Sequence, residues 1–252
     1  MPTPFMHLQT AERIRASEQL KPNIRKLILT NYSAFYLGNV APDYQAICDI
    51  PREDTHFYKL PPEPGNQAYD RMLDLNPELK PAPQLAPDEA AFIAAYSIHL
   101  MLDLRWYHEI LIPYFLKSEG WESRKQRFII HNTLLTYLDM LAVETLPPNA
   151  AEILGNAVPN YHLPFAEDAN LILWRDMLVE QLRPGAMLRT IEIYAERLQM
   201  SPEEFAANLE NPDWMAENVF ARVPVEKVQT MMTNAVDESI EIITNYLTGK
   251  ML

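Results

Sequence analysis

One cysteine, six glycines and no apolar run of membrane-spanning length: each shortage in this 252-residue chain removes a class of protein. A lone Cys48 excludes an internal disulfide and fits a reducing compartment. It reads as a small buried apolar residue. No stretch approaches the roughly 18 consecutive apolar residues of a membrane span, so no transmembrane segment is expected. Basic charge is also short. Lys and Arg number 21 against 34 Asp and Glu, a formal net charge of -13. That balance disfavours a nucleic acid duplex as partner and gives no attraction to an anionic membrane. The opening "MPTPFMHLQTAERIRASEQ" lacks the basic lead and apolar core of a secretory leader, so the expected location is cytoplasmic.

What is present is helical punctuation. Apolar residues make up 48% of the chain and charged ones 22%, as in a globular domain. The 21 prolines gather at element boundaries. "KPNIRKLILTNYSAFYLGN" starts like a helix, with Pro22 at its entry and Gly38 near its stop. Residues 43–87 are proline-rich, with one short helix over Gln67 to Leu75. Pro87, Asp88 and Glu89 then suit a first turn, opening a helix to about Leu116 that Pro113 bends. Further helices are predicted over Glu122 to Leu146, Phe165 to Leu182 and Ala186 to Met200. Ser201 and Glu204 form a capping box. A stripe at Val225, Val228, Met232, Val236, Ile240, Ile243 and Leu247 gives the last helix one buried face. No strand-like alternation and no internal repeat is found. The fold class is all-α.

Chemistry concentrates in "SIHLMLDLRWYHEI", an apolar segment carrying His99, Asp103 and His108. His99 and Asp103 stand four apart, one helical turn, so both can reach one metal ion. A core histidine hydrogen-bonded to a carboxylate a turn away explains the pair as well. His108, nine residues beyond His99, lies on the opposite side of a straight helix. Either Asp103 bridges two ions, or the helix distorts, or His108 is not a ligand.

Four pieces in order then carry a resemblance: His7 in "PFMHLQTAERI", the Gly38–Ala41–Pro42–Asp43 stretch, Thr55–His56–Phe57, and His99 with Asp103. Over roughly Pro4 to Leu146 the chain resembles the zinc-dependent phospholipase C family, an all-α, multi-helix fold related to fungal single-strand nucleases. The resemblance implies a helical core over 1–148, with helices over 149–252 packing on it as one compact unit or forming a homodimer face. It implies Zn2+ ligands at His7, Asp43, His56, His99, Asp103, His108 and His131. His7 and Asp103 would hold one ion. Asp43, His56, His99 and Asp103 would hold a second. His108 and His131 would hold a third. The chain departs from the pattern at Leu135, where the family places a carboxylate one turn beyond the last histidine, so two ions are expected rather than three.

The implied activity is zinc-dependent hydrolysis of phosphate esters, as a phospholipase C-like phosphodiesterase acting through a metal-activated water. Asp43 doubles as ligand and catalytic base, and the substrate is a small phosphate ester or a phospholipid head group. A second reading, favoured by Leu135, is a non-catalytic helical protein keeping a structural or vestigial zinc site. Each candidate also has an ordinary role: Asp43 as a turn cap, His56 and His162 as loop residues, His7 as a surface residue near a chain end.

Overall fold

The structure is a computed structural model that describes residues 1–63, 65, 67–186 and 189–250. Thirteen α-helices follow in order: α1 (Pro4–Ala16), α2 (Pro22–Thr30), α3 (Tyr32–Val40), α4 (Arg52–His56), α5 (Ala68–Leu75), α6 (Pro87–Trp106), α7 (Arg124–Thr145), α8 (Ala150–Gly155), α9 (Asp168–Gln181), α10 (Thr190–Leu198), α11 (Pro202–Glu210), α12 (Pro212–Met215) and α13 (Val225–Leu247). A 3-10 helix over Ala41–Ile47 joins α3 to the segment before α4. The chain continues past α6 as a π-helix over Tyr107–Leu116. No strand occurs among the described residues; an isolated bridge pairs Leu163 with Ala166. None of the described helices is long and apolar enough to cross a membrane.

The helix starts follow from local chemistry. Proline occupies the first turn of α1, α2, α6, α11 and α12, where its missing N–H costs nothing. Ser123, Ser201 and Asn211 accept from the backbone N–H three residues on, at 3.0–3.1 Å, which satisfies a free donor at each helix start. The helix at Pro22 breaks at Asn31, and α3 begins one residue later. The expected long helix from Pro87 is real, but its last ten residues widen into the π-winding.

At the centre lies α6, apolar around its whole circumference and buried from Ala90 to Leu104. Helices α3, α13 and α5 pack against it, and α1 spans α3, α7 and α13. One hydrophobic cluster runs from Phe5 to Leu247, across residue 148. It includes the fully buried Trp106, Tyr36, Phe92 and Tyr246. Each such side chain contributes roughly 1.5–3 kcal/mol by leaving water.

Gly38 lies two residues before α3 ends at Val40, close to the expected stop. It marks where α3 crosses α6: a Cβ there would stand 2.3 Å from the Phe92 carbonyl oxygen and 2.8 Å from the Ala95 Cβ. Only a residue without a side chain lets the two backbones approach so closely. That approach sets the position of everything α3 leads into.

Candidate metal centre

Four short stretches deliver the donors. His7 projects from α1, fully buried. Asp43 sits in the first turn of the 3-10 helix, where Pro42 fixes the chain direction. His56 is the last residue of α4, which ends on Phe57 in the left-handed conformation (φ 60°). His99 and Asp103 are one turn apart on α6, both buried.

The side chains converge. His7 Nε2 is 3.6 Å from Asp103 Oδ1, and His56 Nε2 is 3.5 Å from both Asp103 Oδ2 and Asp43 Oδ1. His99 Nε2 lies 3.9 Å from Asp43 Oδ1. His7 and His99 stack, their ring centroids 3.7 Å apart. Donor atoms of His7, His99 and Asp103 form one group lying within 4.8 Å of one another, and those of Asp43, His56 and His99 a second. Asp103 thus faces His7 with one oxygen and His56 with the other.

These separations exceed the ~2.7–3.2 Å of a hydrogen bond. They lie a few tenths of an ångström above the ~3.3–3.4 Å edges that four ligands make at ~2.0–2.1 Å around one zinc ion. The orphaned atoms agree. His7 Nδ1 and Nε2, His56 Nε2, His99 Nε2 and Asp103 Oδ1 are buried without a hydrogen-bond partner. A buried polar atom left unpaired costs roughly 1–3 kcal/mol, and at most one nitrogen of each ring can face the centre, so these three histidines and Asp103 Oδ1 call for a partner there.

The outer ring nitrogens are already set. His99 Nδ1 donates to the Asn39 carbonyl at 2.8 Å, which leaves a bare lone pair on Nε2. His56 Nδ1 contacts Thr55 Oγ1 at 2.8 Å and the Arg52 carbonyl at 3.3 Å. Burial, aided by His7, pushes the His99 pKa down to about 3, so its ring is neutral at physiological pH. Asp103 is held well below the usual carboxylate range: burial pushes it up, but His7, His99, Arg52 and His56 together pull it further down. Asp43 is lowered too, against burial, by His99 and His56. Neutral imidazoles and ionised carboxylates are the forms that bind a hard-to-borderline cation. The residues present fit zinc.

A comparison with protein families settles the lineage. The family described as zinc dependent phospholipase C matches residues 6–177. The chain belongs to that zinc-dependent phospholipase C family. No curated protein and no solved structure matches it. The family match runs past residue 148 into α9, and it takes in every donor of the centre.

Two residues that the phospholipase C resemblance marked stand outside both groups. His108 is exposed on the π-helix, its ring against Tyr107. Nine residues beyond His99, it faces away from the centre, as helical spacing requires. His131 turns instead to α6, where its Nε2 accepts from Trp106 Nε1 at 3.3 Å and its ring packs on Phe115. Burial holds its pKa well below the ordinary value. Leu135, one turn on, is buried in the apolar core. Asp139 is engaged elsewhere, accepting from Thr3 Oγ1 and, at 2.6 Å, from Thr190 Oγ1.

Sequence reading missed Arg52 and Tyr58. Arg52 Nη2 donates to Asp103 Oδ2 at 2.5 Å and to the Tyr58 hydroxyl at 2.8 Å, with its guanidinium over the Tyr58 ring. Tyr58 also donates to Asp103 Oδ2, at 3.3 Å. The available signal was spacing: Arg52 precedes His56 by one turn in "PREDTHFY". Above the centre opens a cavity of about 360 Å³ that Asp43 and Arg52 line together with Trp174 of α9 and Tyr194 and Arg197 of α10. Burial raises the Tyr194 phenol, helped by Asp139, Asp43 and Asp103, while Arg197 opposes.

Proposed function

We propose that this protein is a zinc-dependent hydrolase of phosphate esters, a phospholipase C-like phosphodiesterase holding two ions. The observation that supports it best is the set of unpaired buried donors around Asp103, whose two oxygens face different histidines, beneath an open cavity. Asp43, His56, His99 and Asp103 would hold one ion; His7 and Asp103 would hold the other. Bound zinc supplies a Lewis acid for the phosphate oxygens and a water acidified toward neutral pH.

The chain's own residues do the rest. Asp43 is the one carboxylate of the centre that lines the cavity, and its side chain is 22% exposed. Kept ionised by His99 and His56, it receives the proton of the attacking water at a carboxylate oxygen. Water adds to phosphorus, the ester P–O bond breaks, and the departing alkoxide takes a proton from solvent at the cavity mouth. Arg52 Nη2 and the Tyr58 hydroxyl both donate to Asp103 Oδ2 and keep the carboxylate from rotating. Met177, Leu178 and Ile193 exclude water from one side. Turnover of a chromogenic phosphodiester by the zinc-loaded protein is expected to fall at least about 100-fold in Asp43→Asn. Equal turnover in both, or none in either, defeats the proposal.

The surroundings of His131 favour one other reading, a non-catalytic protein with structural zinc. A full complement of zinc with no turnover of any phosphate ester would select it.

A further inference from the structure

Three charged side chains line the cavity over the centre: Asp43, Arg52 and Arg197. Asp43 belongs to the donor set, and the charge of Arg52 is answered by Asp103. Arg197 is exposed and makes no salt bridge among the described residues; its guanidinium lies 5.6 Å from the ring centroid of Tyr194. A chain of net charge -13 thus places an exposed guanidinium with no carboxylate partner at the rim of this cavity, which the Met1 amino group also lines. The larger hollow of about 850 Å³, lined by Tyr44 and Phe165, shows the opposite balance, with Glu53, Asp54, Glu63 and Glu167 against Lys59 and Arg71. None of the five donors lines it.

The wall that carries Arg197 is firmly seated. Thr190, at the start of α10, donates to the buried Asp139 of α7 at 2.6 Å. Arg189 N–H donates to Gln181 Oε1 at 3.0 Å, tying α10 back to α9. Ala195 and Leu198 pack with Phe205 of α11 in a small core of their own. The same cavity is also lined by the apolar Met177, Leu178 and Ile193 of α9 and α10, alongside Gln181, Thr190 and Tyr194. Helix α10 starts beyond residue 177, so Ile193 and Arg197 lie outside the family match.

We propose that α10 is the specificity wall of this site, with Arg197 reading a second negative charge on a phosphate ester whose linking portion lies along Met177, Leu178 and Ile193. The inference rests on the hydrolase reading. A guanidinium at the mouth of a partly enclosed cavity draws anions in and pairs with a carboxylate or phosphate through its planar fork. A cationic head group meets repulsion at the same place.

The test uses two p-nitrophenyl phosphodiesters with the same scissile bond. One carries choline on the far oxygen and the other carries 3-hydroxypropanoate, which ends in a carboxylate. For the zinc-loaded full chain, kcat/KM is expected to favour the carboxylate ester by about tenfold or more, the scale of one charge-assisted contact. Arg197→Glu is expected to reverse that preference, and its gain on the choline ester shows that the variant is folded. Equal rates, a wild-type preference for choline, or an unchanged ratio in R197E overturns the inference. If neither ester is turned over, the hydrolase reading fails, and calorimetric binding of the same two esters decides the matter. Tighter binding of the carboxylate ester, lost in R197E, sustains the role of Arg197; equal or absent binding ends it.

Discussion

Replacing Gly38 with alanine tests how the fold and the metal centre depend on one helix crossing. The new Cβ would sit 2.3 Å from the Phe92 carbonyl oxygen, where ordinary contact begins near 3.4 Å. That oxygen belongs to the α6 backbone and cannot swing aside, so α3 must retreat by roughly 1 Å. Overpacking of this kind costs about 1–3 kcal/mol. A backbone obstacle puts Gly38→Ala at the upper end, and the better helix propensity of alanine returns about 1 kcal/mol.

The net loss is therefore about 2 kcal/mol, a fall in Tm of roughly 4–8 °C for a chain of this size. The next residue, Asn39, accepts the 2.8 Å hydrogen bond from His99 Nδ1. A 1 Å retreat stretches it beyond the about 3.2 Å limit and frees the His99 ring to rotate or change tautomer. Loss of such an outer partner lowers metal affinity about 10–100-fold. Thermal unfolding of chelated protein and a competitive zinc titration read the two effects separately. A G38A protein with wild-type Tm and zinc affinity would refute the reasoning.

Other expected outcomes follow from the same geometry. Asp139 is raised to about 6 by burial, against donors from Thr190 and Thr3. Its folded pKa lies above its unfolded value near 3.8, so its contribution is present below about pH 4 and lost by about pH 6, a change of about 3 kcal/mol. His99, lowered to about 3, works in the opposite sense over that window, so the readout is the difference in unfolding free energy between chelated wild type and Asp139→Asn. That difference is expected to shrink as pH rises from 4 to 7, and a flat one contradicts the burial argument. Arg52→Met removes the cation on Asp103 Oδ2 and is expected to cost the chelated protein about 2 kcal/mol, less when zinc is bound; an equal cost in both states would count against Asp103 as a ligand. His131→Phe leaves the Trp106 N–H unpaired, about 1 kcal/mol, and is expected to leave zinc content unchanged. A drop in zinc would make His131 a ligand after all.

Much of this was readable from residue order. Proline placement located the starts of α2, α6 and α11, and the 3-4 spacing of apolar residues located α13. The one-turn spacing of His99 and Asp103 put both on one face, where the structure has them. Gly38 marked the end of α3 to within two residues, but its close approach to α6 was hidden, because a glycine at a helix crossing looks like any other without the partner helix. The π-winding from Tyr107 was equally hidden, because 3.6-residue periodicity carries no mark of a wider turn; the position of His108 opposite His99 was legible from spacing alone. Arg52, Tyr194 and Arg197 escaped because long-range pairing sets their roles. Arg52 meets Asp103 across 51 residues of chain, and α10 reaches the cavity only through the packing of the last third of the molecule.

The claim that the five donors form one zinc-filled centre is tested most directly by counting metal. Elemental analysis of unchelated, purified protein should give about two zinc ions per chain, falling below one in Asp103→Ala, since that carboxylate faces both histidine sets. Fewer than one ion per chain in the wild type, unchanged in His99→Ala, would contradict it.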